Sequence, residues 1–161
     1  MFIQKNSTLG NGWEYYEDNT HTSGDPLVVD GVREQFTNNG LAASTNTDQG
    51  PIGHSALWSN NAIQADKVGE AFIVRVDFTC NPAGVEDYAE LEFDIGGGGS
   101  IIVASRTVSF KKIGNTIISN TTALFAGSTF VANGCKLYLN TATSNDNISI
   151  FDVSILIQKV Y

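Results

Sequence analysis

The sequence predicts an all-β chain, a sandwich of about eight to ten short antiparallel strands. Three observations carry this. Short runs alternate apolar and polar residues, as a half-buried strand must. Clusters of Gly, Asn, Asp, Ser and Pro separate the runs at regular spacing. No stretch holds the apolar period of a sustained amphipathic helix.

The elements follow in order along the chain. Residues 1–12 form a short polar N-terminal arm closed by Asn11-Gly12, and residues 13–161 form one domain large enough for a full core. Trp13 to Thr20 reads as an aromatic-rich strand. Leu27 to Phe36 is expected to be a hairpin, because Asp30-Gly31 supplies the positive φ angles of a tight two-residue turn. Asn38-Asn39-Gly40 turns again, and Leu41 to Gln64 is mostly loop anchored by Trp58.

Phe72, Val74, Val76, Phe78 and Cys80 then fall on one face, with Arg75, Asp77 and Thr79 on the other. Ala89, Leu91, Phe93 and Ile95 repeat the pattern against Tyr88, Glu90, Glu92 and Asp94. Joined through Asn81-Pro82-Ala83-Gly84, the two runs are expected to pair as a central hairpin, whose apolar face another sheet or subunit must cover. Gly96 to Ser100 reads as a mobile tip, without the Lys-Ser/Thr of a phosphate loop. Ile101 to Phe110 begins apolar on both faces, which predicts a deeply buried start. Thr116 to Ser119 and Thr121 to Ala126 read as two short strands, and Val131 to Gly134 as a turn. In Cys135 to Asn140, Leu137 and Leu139 face inward and Lys136 and Tyr138 outward. Ser144 to Asn147 is a tip. Ile148 to Val160 is apolar on both faces, with Phe151, Val153, Ile155 and Ile157 opposite Ile148, Ile150 and Leu156. It is therefore expected mid-sheet and covered on both sides. The predicted core is Phe72, Val74, Val76, Phe78, Leu91, Phe93, Leu137, Leu139, Phe151, Val153 and Ile155.

Charge and motifs exclude several function classes. With 17 Asp+Glu against 9 Lys+Arg, the net charge is −8, and Lys111-Lys112 is the only adjacent basic pair. A nucleic-acid surface needs clustered cations. Met1 to Asn6 turns polar at once, unlike a secretory leader, and no run approaches the roughly 20 apolar residues of a membrane span. Cys80 and Cys135 are accordingly expected to be free thiols. His21 and His54 have no second His or Cys at metal spacing. No Gly-x-Ser-x-Gly elbow is present. Glu90, Glu92 and Asp94 form a carboxylate row, but residues two apart on a wet face read as solvation rather than an acid–base pair. Ser144 to Asn147 holds a single carboxylate, too few for a calcium loop. No enzymatic activity, catalytic residue, metal or cofactor is expected.

The run Trp13-Glu14-Tyr15-Tyr16-Glu17-Asp18-Asn19-Thr20 and the following Pro26-Leu27-Val28-Val29 resemble virion proteins of tailed bacteriophages. The likeness continues through Asn38-Asn39-Gly40, Leu57-Trp58 and the segment from Phe130 to Leu139. It lies in the spacing of aromatics and turns rather than in a diagnostic motif. Such proteins are trimeric jelly rolls, like the tumour-necrosis-factor fold, that decorate capsids or form the heads of fibres. The resemblance implies a jelly-roll β-sandwich, a homotrimer, and a virion location reached by assembly in the host cytoplasm. It implies the major capsid protein or another virion protein as partner, and no nucleic acid or membrane. Since only the arm precedes the first strand, a capsid decoration (cement) protein is the leading expectation. A receptor- or glycan-binding fibre or spike head is the alternative, and a glycoside hydrolase using the carboxylate row a remote one. Phe2 and Ile3 are then the expected capsid-docking residues, and Tyr15, Tyr138 and Tyr161 the trimer-interface candidates. Trp58, Gly97 and Asn145 are the candidates for binding a host surface glycan at loop tips.

Overall fold

A computed structural model describes residues 11–83, 88–97, 99–109, 113–141 and 147–161. In chain order these residues form β1 (Gly12–Glu17), β2 (Leu27–Asp30), β3 (Arg33–Gln35), β4 (Trp58–Ser59), β5 (Ala62–Ile63), β6 (Ala71–Pro82), β7 (Tyr88–Asp94), β8 (Ile102–Ser109), β9 (Thr116–Phe125), α1 (Ser128–Asn133), β10 (Lys136–Asn140) and β11 (Asn147–Lys159). One sheet runs β1-β11-β6-β9, with β2 also on β11, and the second runs β3-β10-β7-β8. Every pairing is antiparallel. The chain is an all-β jelly-roll sandwich, as the alternation and turn spacing predict.

The inner faces meet in one apolar cluster. Phe72, Val74, Val76, Phe78 and Cys80 of β6 join Leu91 and Phe93 of β7 and Leu137 and Leu139 of β10. Every predicted core residue is buried, and all but Phe151 belong to this cluster; Phe151 precedes the β11 bulge described below and so lies on the face opposite Val153, Ile155 and Ile157. Phe36 packs edge-on against Phe78 at 5.1 Å between ring centroids. The short helix α1 places Phe130 5.8 Å from Phe72 and ends where Gly134, at φ 71°, donates its N–H to the Phe130 carbonyl. A one-and-a-half-turn helix is too short to show a period in sequence.

Several expectations are corrected. Val131 to Asn133, expected in a turn, lie in α1. The runs β6 and β7 do not pair with one another: β6 lies between β11 and β9, and β7 between β10 and β8. Their apolar faces meet across the sandwich, so alternation identified both strands while misplacing their partnership. Asp30-Gly31 likewise crosses between sheets, β2 pairing with β11 and β3 with β10. β8 is an edge strand, and Ile101, Ile102 and Val103 are exposed.

Another correction concerns β11. It is mid-sheet as expected, but its two apolar sets largely share one face. A bulge between Phe151 and Ser154, with Asp152 at φ 53°, shifts the register by one residue. Ile150 opposes Cys80 before the bulge and Ile155 opposes Val76 after it. Inward parity therefore switches from even to odd numbers. The pattern reads in sequence as burial on both faces. Thr116 to Phe125 is one continuous strand rather than two.

Candidate functional site

The outer face of the five-stranded sheet is the feature that an isolated sandwich does not explain. An antiparallel sheet with one buried face normally presents polar residues on the other. Here the cross-strand rows read Trp13, Gln158, Ile73, Ala123 and, next to them, Tyr15, Leu156, Arg75, Thr121. One register step further, Ala71 opposes Phe125, and Tyr161 accepts the Ala71 N–H. Phe125 and Tyr161 are 78% and 80% exposed, and Ile73 39%. A shallow depression of about 290 Å³, lined by Trp13, Leu156 and Gln158, adds relief to this surface. On this face Arg75 Nε pairs with Asp77 at 2.9 Å. Such a face fits burial against another protein surface.

The second sheet carries a different outer face. Arg33 donates from Nε to Glu92 and from Nη2 to Asp94, both at 2.5 Å, and its guanidinium lies 3.6 Å over the Tyr138 ring. Glu92 and Asp94 are almost fully buried. Burial acts to raise the Asp94 pKa. The N–H groups of Ile101 and Gly96, together with Arg33, outweigh it and hold the carboxyl below its usual range. Within the row, Glu92 and Asp94 are thus clamped to Arg33 rather than solvated as expected.

Two further polar clusters serve the framework. His54, whose side chain is nearly inaccessible, sits between Glu70 (3.1 Å) and Asp66 (3.6 Å), and Lys159 reaches Glu70 at 2.7 Å. Burial works against ionised Glu70, but Lys159, His54 and the Asp66 N–H more than compensate and lower its pKa. On β1, Glu14 and Tyr16 face inward. Glu14 accepts from the Tyr16 hydroxyl and from the Leu57 N–H, the latter at 2.7 Å. Burial, with the Glu14 bond behind it, pushes the Tyr16 pKa up. Sequence spacing reveals neither the His54 cluster, which loop residues form with Lys159 of β11, nor its ionic character. The inward Glu14 is visible in the parity it shares with Tyr16.

The residues singled out in sequence are distributed as follows. Tyr15 and Tyr161 lie on or beside the apolar outer face, and Tyr138 lies on the other sheet beneath Arg33. Trp58 is buried and donates its ring N–H to the Asn38 carbonyl at 2.9 Å. Gly97, at φ 67°, sits in a tip closed by Asp94, which accepts from the Gly96 and Ile101 N–H groups. A Cβ at Gly97 would stand 2.9 Å from the Asn133 carboxamide. Cys80 and Cys135 are buried free thiols, as expected. Phe2, Ile3 and Asn145 lie outside the described residues.

This sandwich has solved counterparts. The structure of Eiger TNF from S. frugiperda aligns over 94% of this chain and 94% of its own, with a TM-score of 0.53 and 12% identity. PRD1 vertex protein P5 aligns over 96% of this chain and 75% of its own, with a TM-score of 0.50 and 15% identity. At these identities the likeness is one of fold. No protein-family model matches the chain, and no curated protein does.

Proposed function

We propose that this protein is a non-enzymatic structural component of a virion, a homotrimeric decoration protein that binds and stabilises the capsid. The observation that carries the reading is the apolar outer face of the five-stranded sheet, which holds Trp13, Ile73, Leu156 and Phe125. A soluble sandwich gains by burying such a face in a closed assembly. The fold likeness to PRD1 vertex protein P5 supports the virion setting. Self-association uses this face, with Tyr15 and Tyr161 contributing and Tyr138 left outside it. That leaves the arm for docking on coat subunits. Burying Phe2 and Ile3 contributes on the order of 3–5 kcal/mol per arm before ordering costs. A single arm then binds weakly and three bind firmly through effective concentration.

The test is a pull-down on purified undecorated shells. The full chain should bind to saturation, and deletion of residues 1–10, which stops short of β1, should leave a folded trimer that no longer binds. Undiminished binding by the truncated protein would move docking onto the sandwich. Failure of the full chain to bind shells at all would sink the capsid reading.

A further inference from the structure

A cleft of about 460 Å³ opens where Tyr16 of β1, the long loop joining β3 to β4 and the β4–β5 turn meet. Its volume falls in the range of small-molecule sites, roughly 300–1,000 Å³. Tyr16 and Trp58, both buried, supply aromatic surface, and none of the lining residues carries a charge. The polar groups around it divide into two sets. Asn38 is fully engaged: its amide donates to the Tyr16 and Val153 carbonyls and its side-chain oxygen accepts from the Gly40 N–H. By contrast, the side-chain polar groups of Thr47, Ser59 and Asn60, and Asn61 Nδ2, have no hydrogen-bond partner among the described residues.

The turn that carries two of these residues is fixed. Asn60 and Asn61 form a two-residue turn with φ 52° and 54°, the left-handed pair that a tight hairpin requires. Asn61 Oδ1 accepts the Asn38 N–H at 3.1 Å, which fixes the orientation of the carboxamide and so of its free Nδ2. Ligand binding therefore orders little that folding has not already ordered.

The chemistry selects the occupant. Carboxamides and hydroxyls both donate and accept, so the ligand must offer both. Without a lining cation the cleft has nothing to neutralise a phosphate or carboxylate, and without a lining carboxylate nothing to neutralise an amine. Neighbouring hydroxyls on a ring with an apolar C–H face meet these demands, the face lying against the aromatic surface. We propose that this cleft binds a neutral saccharide unit. The site belongs to one protomer, so it stands or falls independently of any capsid role.

The test uses ¹⁵N-labelled protein titrated separately with glucose, galactose, mannose, N-acetylglucosamine, maltose and lactose, and with inorganic phosphate and acetate as charged probes. At least one neutral sugar should shift backbone signals of residues 38–40, 45–47 and 58–61 saturably, with an affinity unchanged by salt. The variants Thr47→Val, which keeps shape, and Asn60→Gly, which keeps the left-handed backbone, should each weaken binding, and together by at least about tenfold. Thermal melts confirm that the variants fold. No saturable shift at this cleft with any neutral sugar would overturn the proposal. So would tighter binding of phosphate or acetate, or full retention of affinity by a folded double variant.

Discussion

Arg33 holds the outer face of the four-stranded sheet together, because it is the cation paired with both buried carboxylates Glu92 and Asp94. Arg33→Ala leaves two nearly buried charges without that partner, so the unfolding free energy should fall by about 3–5 kcal/mol in a urea titration. Arg33→Lys should recover only part of this, since an ammonium cannot reproduce the planar fork over Tyr138. Acid sensitivity follows from the same kind of residue. Asp66, Glu70 and Asp94 titrate below their ordinary values of 3.8, 4.5 and 3.8. Groups lowered on folding contribute stability above the unfolded pKa and lose it as pH falls through the folded one. Melting temperature should therefore hold on the neutral side of pH 4.5 and decline below it, with Glu70→Gln shallowing the acid limb. A profile flat through that acid range would count against these pairings. Burial pushes the thiols of Cys80 and Cys135 up to about 11 and about 12, with Asp94 adding to the rise at Cys135. Both should resist a thiol reagent at neutral pH until denaturant is added.

At the scale of elements, the bulge in β11 governs which of its side chains enter the core. Deleting Asp152 removes the parity switch, so either Ile148 and Ile150 or Val153, Ile155 and Ile157 must turn outward. The deletion should abolish cooperative unfolding, whereas Asp152→Gly, which suits the φ of 53°, should keep the fold at near-native stability. Circular dichroism melts separate the two outcomes. This element also shows what the sequence makes legible. Local alternation gives strand existence and facing, as in Phe72 to Cys80 and Lys136 to Asn140. Pairing is set by long-range packing of whole faces, so β6 and β7 look like a hairpin in sequence and lie in opposite sheets in space. Edge position is equally non-local: Ile101, Ile102 and Val103 have the composition of a buried strand, yet β8 has a neighbour on one side only among the described residues. The polar cleft was hidden for a related reason, since its walls come from β1, the β3–β4 loop and the β4–β5 hairpin, separated along the chain, and only Trp58 among them was a binding candidate.

At the scale of the whole molecule, the apolar outer face makes the state of association testable without any particle. If the face closes a trimer, Ile73→Asn with Phe125→Ser should yield a folded monomer by light scattering, with the all-β circular dichroism spectrum retained. The parent protein should melt at a temperature that rises with its concentration, and the double variant should not. A parent protein that is monomeric at micromolar concentration would remove self-association from the proposed function.

The central place of β11 has a consequence for how the molecule is made. Gly12 pairs with Lys159, and β11 is bonded on one side to β1 and β2 and on the other to β6. All three partners are synthesised before it. Until β11 leaves the ribosome, β1 and β2 lack their ladder partner and β6 has only β9. Nascent chains of this protein therefore carry open strand edges for much of translation, the condition in which β-rich chains recruit holding chaperones or aggregate. Refolding of the free protein must likewise close its longest loops before the five-stranded sheet exists, which places it among the slow folders, on the order of milliseconds to seconds.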